Sequence, residues 1–510
     1  MQPIRNILIV GGGTAGWLAA GFLARTLGSS VGVTLVESRE IGIIGVGEGT
    51  FPSIRGTLST LGIDEATFIR ECHATFKQGV HFAHWVREPG KPGAAHYFHP
   101  FNQPSQRPGG PELLPYWLRG AAGSTSFAAA STLQTAVAAA SHAPKRIGDA
   151  DYIAPLNYAY HFDAASFAAL LCRHAQKLGV KRIEATVDSV QLTEDGSIAS
   201  VTTREAGVLS ADLFVDCTGF RARLIGEALG SPFRNINDTL FVDRALALQV
   251  PYAQPDAPIA SYTISTAHEA GWTWDIGLHD RRGTGYVYSS RHTSDERAEQ
   301  ILRGYVGAAG DGLSPRLLKL NVGYRETHWI KNCVAIGLSG GFLEPLESSG
   351  IGLIEAATYL LSYLFPHDGN LAPAAKFFNE QMRQRYEKIV DFVKMHYCLS
   401  RRSEDFWVEN TLEATIPESL REKLAMWRSR PPHRLDFVTD VEMYPPSSWQ
   451  YVLYGMEFCT EVHGHWPDRA AAEKEFRMIQ EVSQHALRDL PTHRALVDWY
   501  RKGAPQLRRA

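Results

Sequence analysis

Residues 333–353, CVAIGLSGGFLEPLESSGIGL, bring two carboxylates, paired serines and Pro345 into a glycine-rich loop between an apolar strand and a helix that starts near Ser349. Such a loop can lie across a flat cofactor while the free amides of the helix N-terminus face an anion. Glu347, next to Ser348, is a candidate to polarise an electrophile or take up a proton. It also suits a helix start, where the dipole favours a carboxylate. Glu344 is the second candidate. Lys77, in CHATFKQGVHF, is a donor and, when deprotonated, a nucleophile. A cation closing a helix explains it equally well. His99 and Phe101, in YFHPF, can flank a flat ring or brace a turn. Trp272 and Trp274 share one face of an expected strand, as core or as a wall. Trp449, in PPSSWQYV, offers a further wall.

The elements that must position these groups begin with the clearest local pattern. Residues 7–10 form a continuous apolar strand, Gly11, Gly13 and Gly16 make a G-x-G-x-x-G turn, and residues 17–27 have helical periodicity. A second strand over 31–36 ends in Glu37. The glycines let backbone amides approach a pyrophosphate at a helix N-terminus, and Glu37 can accept from a ribose hydroxyl. Residues 41–50, IGIIGVGEGT, make a second glycine-rich loop near the cofactor, carrying Gly47 and Glu48. A helix is expected over 64–76, which puts Lys77 at its C-terminal end, then a strand over 80–86 and a long functional loop over 87–111. The Ala/Ser-rich stretch 120–143 reads as close-packed helix or mobile cover. An amphipathic helix over 163–178 precedes strands near 181–193 and 198–207, and a buried strand over 213–219 ends in Asp216-Cys-Thr-Gly. Residues 235–330 are β-rich, and the chain after 349 is largely helical up to a basic tail.

The chain has 510 residues, 44% apolar and 21% charged, with a formal charge of -3. That length supports several joined domains. The charge offers no electrostatic case for nucleic acid. No apolar run approaches the roughly 20 residues of a membrane span. The opening MQPIRNILIVGGG lacks an apolar signal-peptide core, and cysteines 72, 172, 217, 333, 398 and 459 form no C-x-x-C pair. Reduced thiols in a cytoplasmic protein are the expectation. The H-x-x-H pairs His81/His84 and His96/His99 would point to opposite strand faces, so no metal site is expected. Only one dinucleotide fingerprint is present, which fits a single large cofactor, FAD, with reducing equivalents supplied from outside.

Phe342, Pro345, Ser348 and Gly350 complete an F-x-x-P-x-x-S-x-G pattern. Together with Trp272-x-Trp274-x-Ile276, His99-Pro-Phe101, Lys77 before a glycine, and the FAD fingerprint, it resembles flavin-dependent halogenases of the tryptophan halogenase family. The resemblance runs from the first strand to at least residue 355, with motifs in family order. It departs at Gly277, where the family W-x-W-x-I-P motif has proline, a change expected to loosen the strand end. It implies an α/β fold: a Rossmann-like FAD-binding domain of the aromatic-hydroxylase type, an inserted β-rich substrate domain and a mainly helical C-terminal region. The corresponding segments are 1–110 (FAD-binding βαβ and cofactor loops), 111–220 (helical insert and return), 221–330 (substrate-side sheet), 331–365 (flavin strap and helix) and 366–510 (substrate cover).

The resemblance further implies FAD contacts from Gly11, Gly13, Thr14, Ala15, Gly16, Glu37, Gly47, Glu48, Asp216, Gly337, Phe342 and Leu343. Halide would sit at Ser349 and Gly350. Substrate would meet His99, Phe101, Trp272, Trp274, Ser348 and Trp449, with Lys77 and Glu347 catalytic. Reduced FAD from a separate NAD(P)H-dependent flavin reductase, O2 and chloride or bromide would yield hypohalous acid, passed by Lys77 to an electron-rich arene. The segment Tyr444-Pro-Pro-Ser-Ser-Trp449 differs from what an amino-acid clamp needs, so an indole stands beside tryptophan as substrate, and a homodimer is the family expectation. A flavin-dependent aromatic monooxygenase and a non-catalytic flavin-binding protein are the alternatives.

Overall fold

The computed structural model describes residues 2–40, 47–93, 95–438, 440–464 and 466–503. The first part of the second glycine-rich loop, residues 41–46, and the basic tail from 504 lie outside the described residues. The chain divides into two compact units, each assembled from three separated segments. One comprises Met1–His73, Phe162–Asn237 and Leu320–Glu387; the other comprises Ala74–His161, Asp238–Lys319 and Lys388–Ala510.

The first unit is built on a six-stranded sheet in the order Trp329–Ile330, Cys333–Ala335, Leu213–Asp216, Asn6–Val10, Gly32–Glu37, Lys181–Glu184. Asn6–Val10 pairs in parallel with a strand on either side, and Ile7 to Val10 are all buried. An apolar run without alternation is what a parallel strand covered on both faces requires. Helix Thr14–Leu27 packs against helices Ala164–Lys177 and Ser349–Tyr363. The expected strand near 181–193 is two strands. Lys181–Glu184 joins the parallel sheet, while Val187–Leu192 pairs with Ile198–Thr203 in a separate antiparallel sheet.

The second unit holds a seven-stranded sheet in the order Arg316–Lys319, Arg244–Pro251, Arg281–Tyr288, Gly271–Gly277, Thr263–His268, Gly79–Ala83, His96–Pro100. Its C-terminal helices include Pro446–Gly455, Arg469–Asp489 and His493–Arg501. The β-rich and helical stretches of the sequence therefore appear as expected.

Three local expectations are corrected. The helix expected over 64–76 is only Glu65–Glu71, capped by Asp64, whose carboxylate accepts from the Thr67 amide at 2.8 Å. His73, at φ 52°, turns the chain out of the helix. Lys77 consequently ends a strand, Thr75–Lys77, paired with Ala159–Phe162, and does not close a helix. The long loop expected over 87–111 contains the strand His96–Pro100, whose register sets Val80 opposite His99. The strand expected over 80–86 stops at Ala83, because His84 takes a left-handed φ of 61°. The 120–143 stretch contains two short helices, Phe127–Ser131 and Gln134–Ala139.

Within the first unit, Glu355 on helix Ser349–Tyr363 accepts from Ser53 Oγ at 2.8 Å and Thr57 Oγ1 at 2.5 Å. Burial pushes its carboxyl up to about 7, against the opposing effect of those two hydroxyls. A raised folded pKa means the neutral acid suits the fold, so ionisation removes stability as pH rises from the ordinary range through about 7. Glu355→Gln is therefore expected to leave the melting temperature unchanged near pH 4.5 and raise stability at pH 8 by roughly 1–3 kcal/mol. Thermal melts at the two pH values check the sign.

Candidate active site

The turn after strand Asn6–Val10 shapes a cavity of about 640 Å³ in the first unit. Gly11 has φ +114°, and a Cβ there would lie 2.2 Å from the Cys217 carbonyl oxygen. A Cβ on Gly16 would lie 1.8 Å from the Gly11 oxygen. Both positions are closed to any larger residue, whereas no described residue lies within 4 Å of where a Gly13 Cβ would stand. Gly13 opens helix Thr14–Leu27, and no side chain caps it. The amides of that first turn are thus left for an anion, which fits a dinucleotide pyrophosphate.

Gly11, Gly13, Thr14, Ala15, Glu37, Glu48, Gly337, Phe342 and Leu343 line the cavity, joined by Ser349 and Gly350. Gly16 supports the turn from behind, and Gly47 is not among the lining residues. Glu37 is oriented by Arg182 Nε at 2.6 Å and by the Trp17 indole N–H at 3.2 Å. Each of its oxygens keeps a lone pair for a further donor. Burial pushes Glu48 up to about 7. Asp216 does not line the cavity. Its carboxylate accepts from the Thr218 amide and hydroxyl and from the Leu224 and Ile225 amides, at 2.6–2.9 Å, and so folds the chain beside the cavity. Sequence reasoning missed Arg182, which reaches Glu37 only because its strand pairs with Gly32–Glu37.

The strap residues have an unusual backbone. Glu347 and Ser348 both adopt left-handed φ, 60° and 59°, immediately before helix Ser349–Tyr363. Two such non-glycine residues in succession are strained and persist only where their surroundings hold them. The Ser348 amide donates to the Pro345 oxygen at 3.0 Å, and Glu347 is buried rather than an exposed helix-start carboxylate. Ser348 makes no side-chain cap bond, and Ser349 and Gly350 at the helix start line the cavity.

In the second unit, Lys77 has no exposed surface, and its Nζ lies 5.4 Å from the centre of the Phe101 ring. His161, which faces Thr75 across the strand pair, is held neutral by burial first and by the nearby Lys77 charge second. His99 shares a 2.7 Å hydrogen bond between Nε2 and Ser448 Oγ, and its ring lies against Phe392 and Tyr451. Trp449, on the same helix as Ser448, is buried against Phe392, Trp427 and Phe437. Its indole N–H has no hydrogen-bond partner among the described residues. Lys77 and Phe101 are thus brought together, and His99 and Trp449 are joined through helix Pro446–Gly455. Phe392, Ser448 and Tyr451 escaped sequence reasoning, since nothing in a helical pattern distinguishes a residue that faces His99.

Trp272 and Trp274 lie on one wholly buried strand, as alternation predicts. Trp272 donates to the Tyr397 hydroxyl at 2.9 Å within an aromatic cluster, and Trp274 covers Gly285. Among the described residues, no group of three or more His, Cys, Asp or Glu could hold a metal ion. The His81 and His96 rings lie tilted against each other, with centres 5.0 Å apart.

Gly277 does not loosen its strand, which runs through Gly277 and pairs it with Arg282. The Gly277 carbonyl accepts from Thr75 Oγ1 at 2.5 Å, tying it to the strand that carries Lys77. A Cβ there would stand 2.8 Å from Ile259 Cγ2 and 3.1 Å from the Tyr252 hydroxyl. Any side chain at this position must displace Ile259 and press on Tyr252. Gly277→Pro and Gly277→Ala are both expected to lower stability, by roughly 1–3 kcal/mol, as overpacking does. Denaturant melts of the two variants against wild type provide the measurement.

With this geometry in view, the relatives are informative. A family model described as tryptophan halogenase matches residues 6–472. The chain is 37% identical to tryptophan 6-halogenase SttH from Streptomyces toxytricini, over 96% of each chain. It is also 37% identical to tryptophan 7-halogenase RebH from Lentzea aerocolonigenes, over 91% of this chain and 87% of that one. Among solved structures, a tryptophan halogenase from Shewanella frigidimarina superposes with a TM-score of 0.94 at 42% identity, covering 98% of both chains. Sequence and fold agree over nearly the whole length, and the chain belongs to the tryptophan halogenase family, an enzyme of the flavin-dependent halogenase class.

Proposed function

We propose that this enzyme uses reduced FAD, O2 and bromide or chloride to halogenate an electron-rich aromatic, an indole or a tryptophan derivative. The observation that carries the reading is Lys77, wholly buried on a paired strand with its Nζ 5.4 Å from the Phe101 ring centre. An amine so placed has lost its hydration and acts as hydrogen-bond donor or nucleophile. Gly11, Gly13, Thr14 and Glu37 would hold the dinucleotide, and Phe342 and Leu343 its flat end. When bound, reduced FAD supplies the oxygen activation that converts halide to hypohalous acid. Ser349 and Gly350, which line the cavity at the start of a helix, suit the halide.

Lys77 receives the hypohalous acid by hydrogen bond, or its neutral amine takes the halogen as a haloamine while the halogen–oxygen bond breaks and water leaves, and it then presents the halogen to the ring. The ring carbon bonds the halogen as the halogen–oxygen or halogen–nitrogen bond breaks, and the C–H proton then leaves. Glu347 polarises the electrophile or accepts that proton. His99 and Phe101 hold the ring by stacking and edge contacts. Tyr444 stacks on Phe392 at 3.9 Å, and Ser448 bonds His99, so the 444–449 segment supplies aromatic and hydroxyl groups rather than charge. This supports an indole that needs no amino-acid clamp. The single dinucleotide fingerprint supports a separate NAD(P)H-dependent flavin reductase. Free cysteines, together with the absence of any apolar spanning helix among the described residues, suit a cytoplasmic setting.

Mass spectrometry of reactions with FAD, a flavin reductase, NADH, O2 and bromide or chloride tests the reading on indole, tryptophan and small arenes. A halide-dependent mass shift is expected, falling about 100-fold or more in Lys77→Ala and about 10- to 100-fold in Glu347→Gln. Oxygenated product formed without halide would instead identify an aromatic monooxygenase.

A further inference from the structure

The strand that carries Lys77 is pinned from an unexpected direction. The Phe76 amide, one residue before Lys77, donates to His493 Nε2 at 2.9 Å rather than to another strand. His493 Nδ1 in turn donates to the Ile259 carbonyl at 3.0 Å. With Nε2 accepting, the ring must be neutral and carry its proton on Nδ1. Burial lowers its pKa to about 4, with the Arg494 charge a smaller contribution in the same direction.

His493 begins the C-terminal helix His493–Arg501, and the segment before it is stitched to the same region. The His493 amide donates to the Ser141 oxygen at 2.8 Å, and the Ala143 amide to the Pro491 oxygen at 2.9 Å. Gln78 closes the other side of Lys77. Its amide donates to the Ser261 oxygen at 2.7 Å, and its side chain donates to Ser261 Oγ and the His142 oxygen, each at 2.9 Å. Phe76, Lys77, Gln78 and His493 are all fully buried. Successive strand residues point to opposite faces, so fixing the Phe76 backbone fixes where the Lys77 stem departs.

From these bonds we infer that His493 is a positioning residue for Lys77, holding the lysine strand through the Phe76 amide so that the amine keeps a single address. The inference rests on the role given to Lys77 above. A misplacement of about 1 Å at a reacting group can lower rates on the order of 100-fold. A displaced amine leaves flavin oxidation running while hypohalous acid escapes unguided.

The test compares wild type, His493→Gln, His493→Met, His493→Phe and Lys77→Ala as FAD-loaded enzymes with reductase, NADH, O2 and bromide. Four quantities are read: halogenated indole, reduced flavin consumed, free hypohalous acid caught by an electron-rich trap in bulk solution, and hydrogen exchange of the Phe76 amide. Met and Phe are expected to lower product per flavin consumed about 10-fold or more, raise trapped halogen and expose the Phe76 amide to exchange. Gln, whose amide oxygen can accept from Phe76, is expected to restore coupling and protection. Should the Phe variant fail to fold, the Gln and Met pair decides alone. Unchanged coupling in Met and Phe overturns the inference. So does an equal fall in product and flavin consumption in Gln, Met and Phe alike, which marks a structural role only. Full product from Lys77→Ala would instead remove the Lys77 assignment, an outcome distinct from both.

Discussion

Burial of the Lys77 amine is the constraint on which the second unit depends. A lysine without exposed surface is unfavourable in any fold unless its surroundings offer compensation and its backbone cannot drift. The surroundings here include the Phe101 ring face and His161, a histidine kept neutral, so that no second positive charge opposes the first. The chain is held at each neighbouring residue: the Thr75 hydroxyl to the Gly277 carbonyl, the Phe76 amide to His493, and the Gln78 amide and side chain to Ser261. These partners come from sequence positions about two hundred to four hundred residues away. The geometry around Lys77 is therefore a property of the whole unit.

The first unit is organised differently, around a cavity lined by backbone as well as charge. The first turn of helix Thr14–Leu27 stands at its wall, and glycines bring backbone close to backbone. Asp216, a residue whose position invites a direct ligand role, instead binds four backbone and hydroxyl donors and sets the path of the chain into the cavity wall. The strap then stores backbone strain at Glu347 and Ser348, consistent with a segment selected for where it aims its groups.

Gly277 shows how a motif departure is absorbed. Taken alone, a glycine in place of proline suggests a weakened strand end. In the fold, Ile259 and Tyr252 crowd the place of a Cβ, and the glycine carbonyl receives the Thr75 hydroxyl. The substitution is read correctly only alongside its neighbours, since packing volume is shared among residues distant in sequence.

Local order alone determined the βαβ start with its three glycines, the apolar strands, the alternation of Trp272 and Trp274, and the membership signalled by the strap motif. These depend on short-range periodicity and turn chemistry, which adjacent residues specify. Only the tertiary structure decided that Lys77 ends a strand, that His96–Pro100 is a strand within an expected loop, that Arg182 orients Glu37, and that Asp216 binds neighbouring amides of its own chain. The first three of those outcomes turn on a partner brought from elsewhere along the chain. Non-local hydrogen bonds and shared packing volume leave no periodic trace in a single sequence, so the glycine turn was legible while the wiring around it was not.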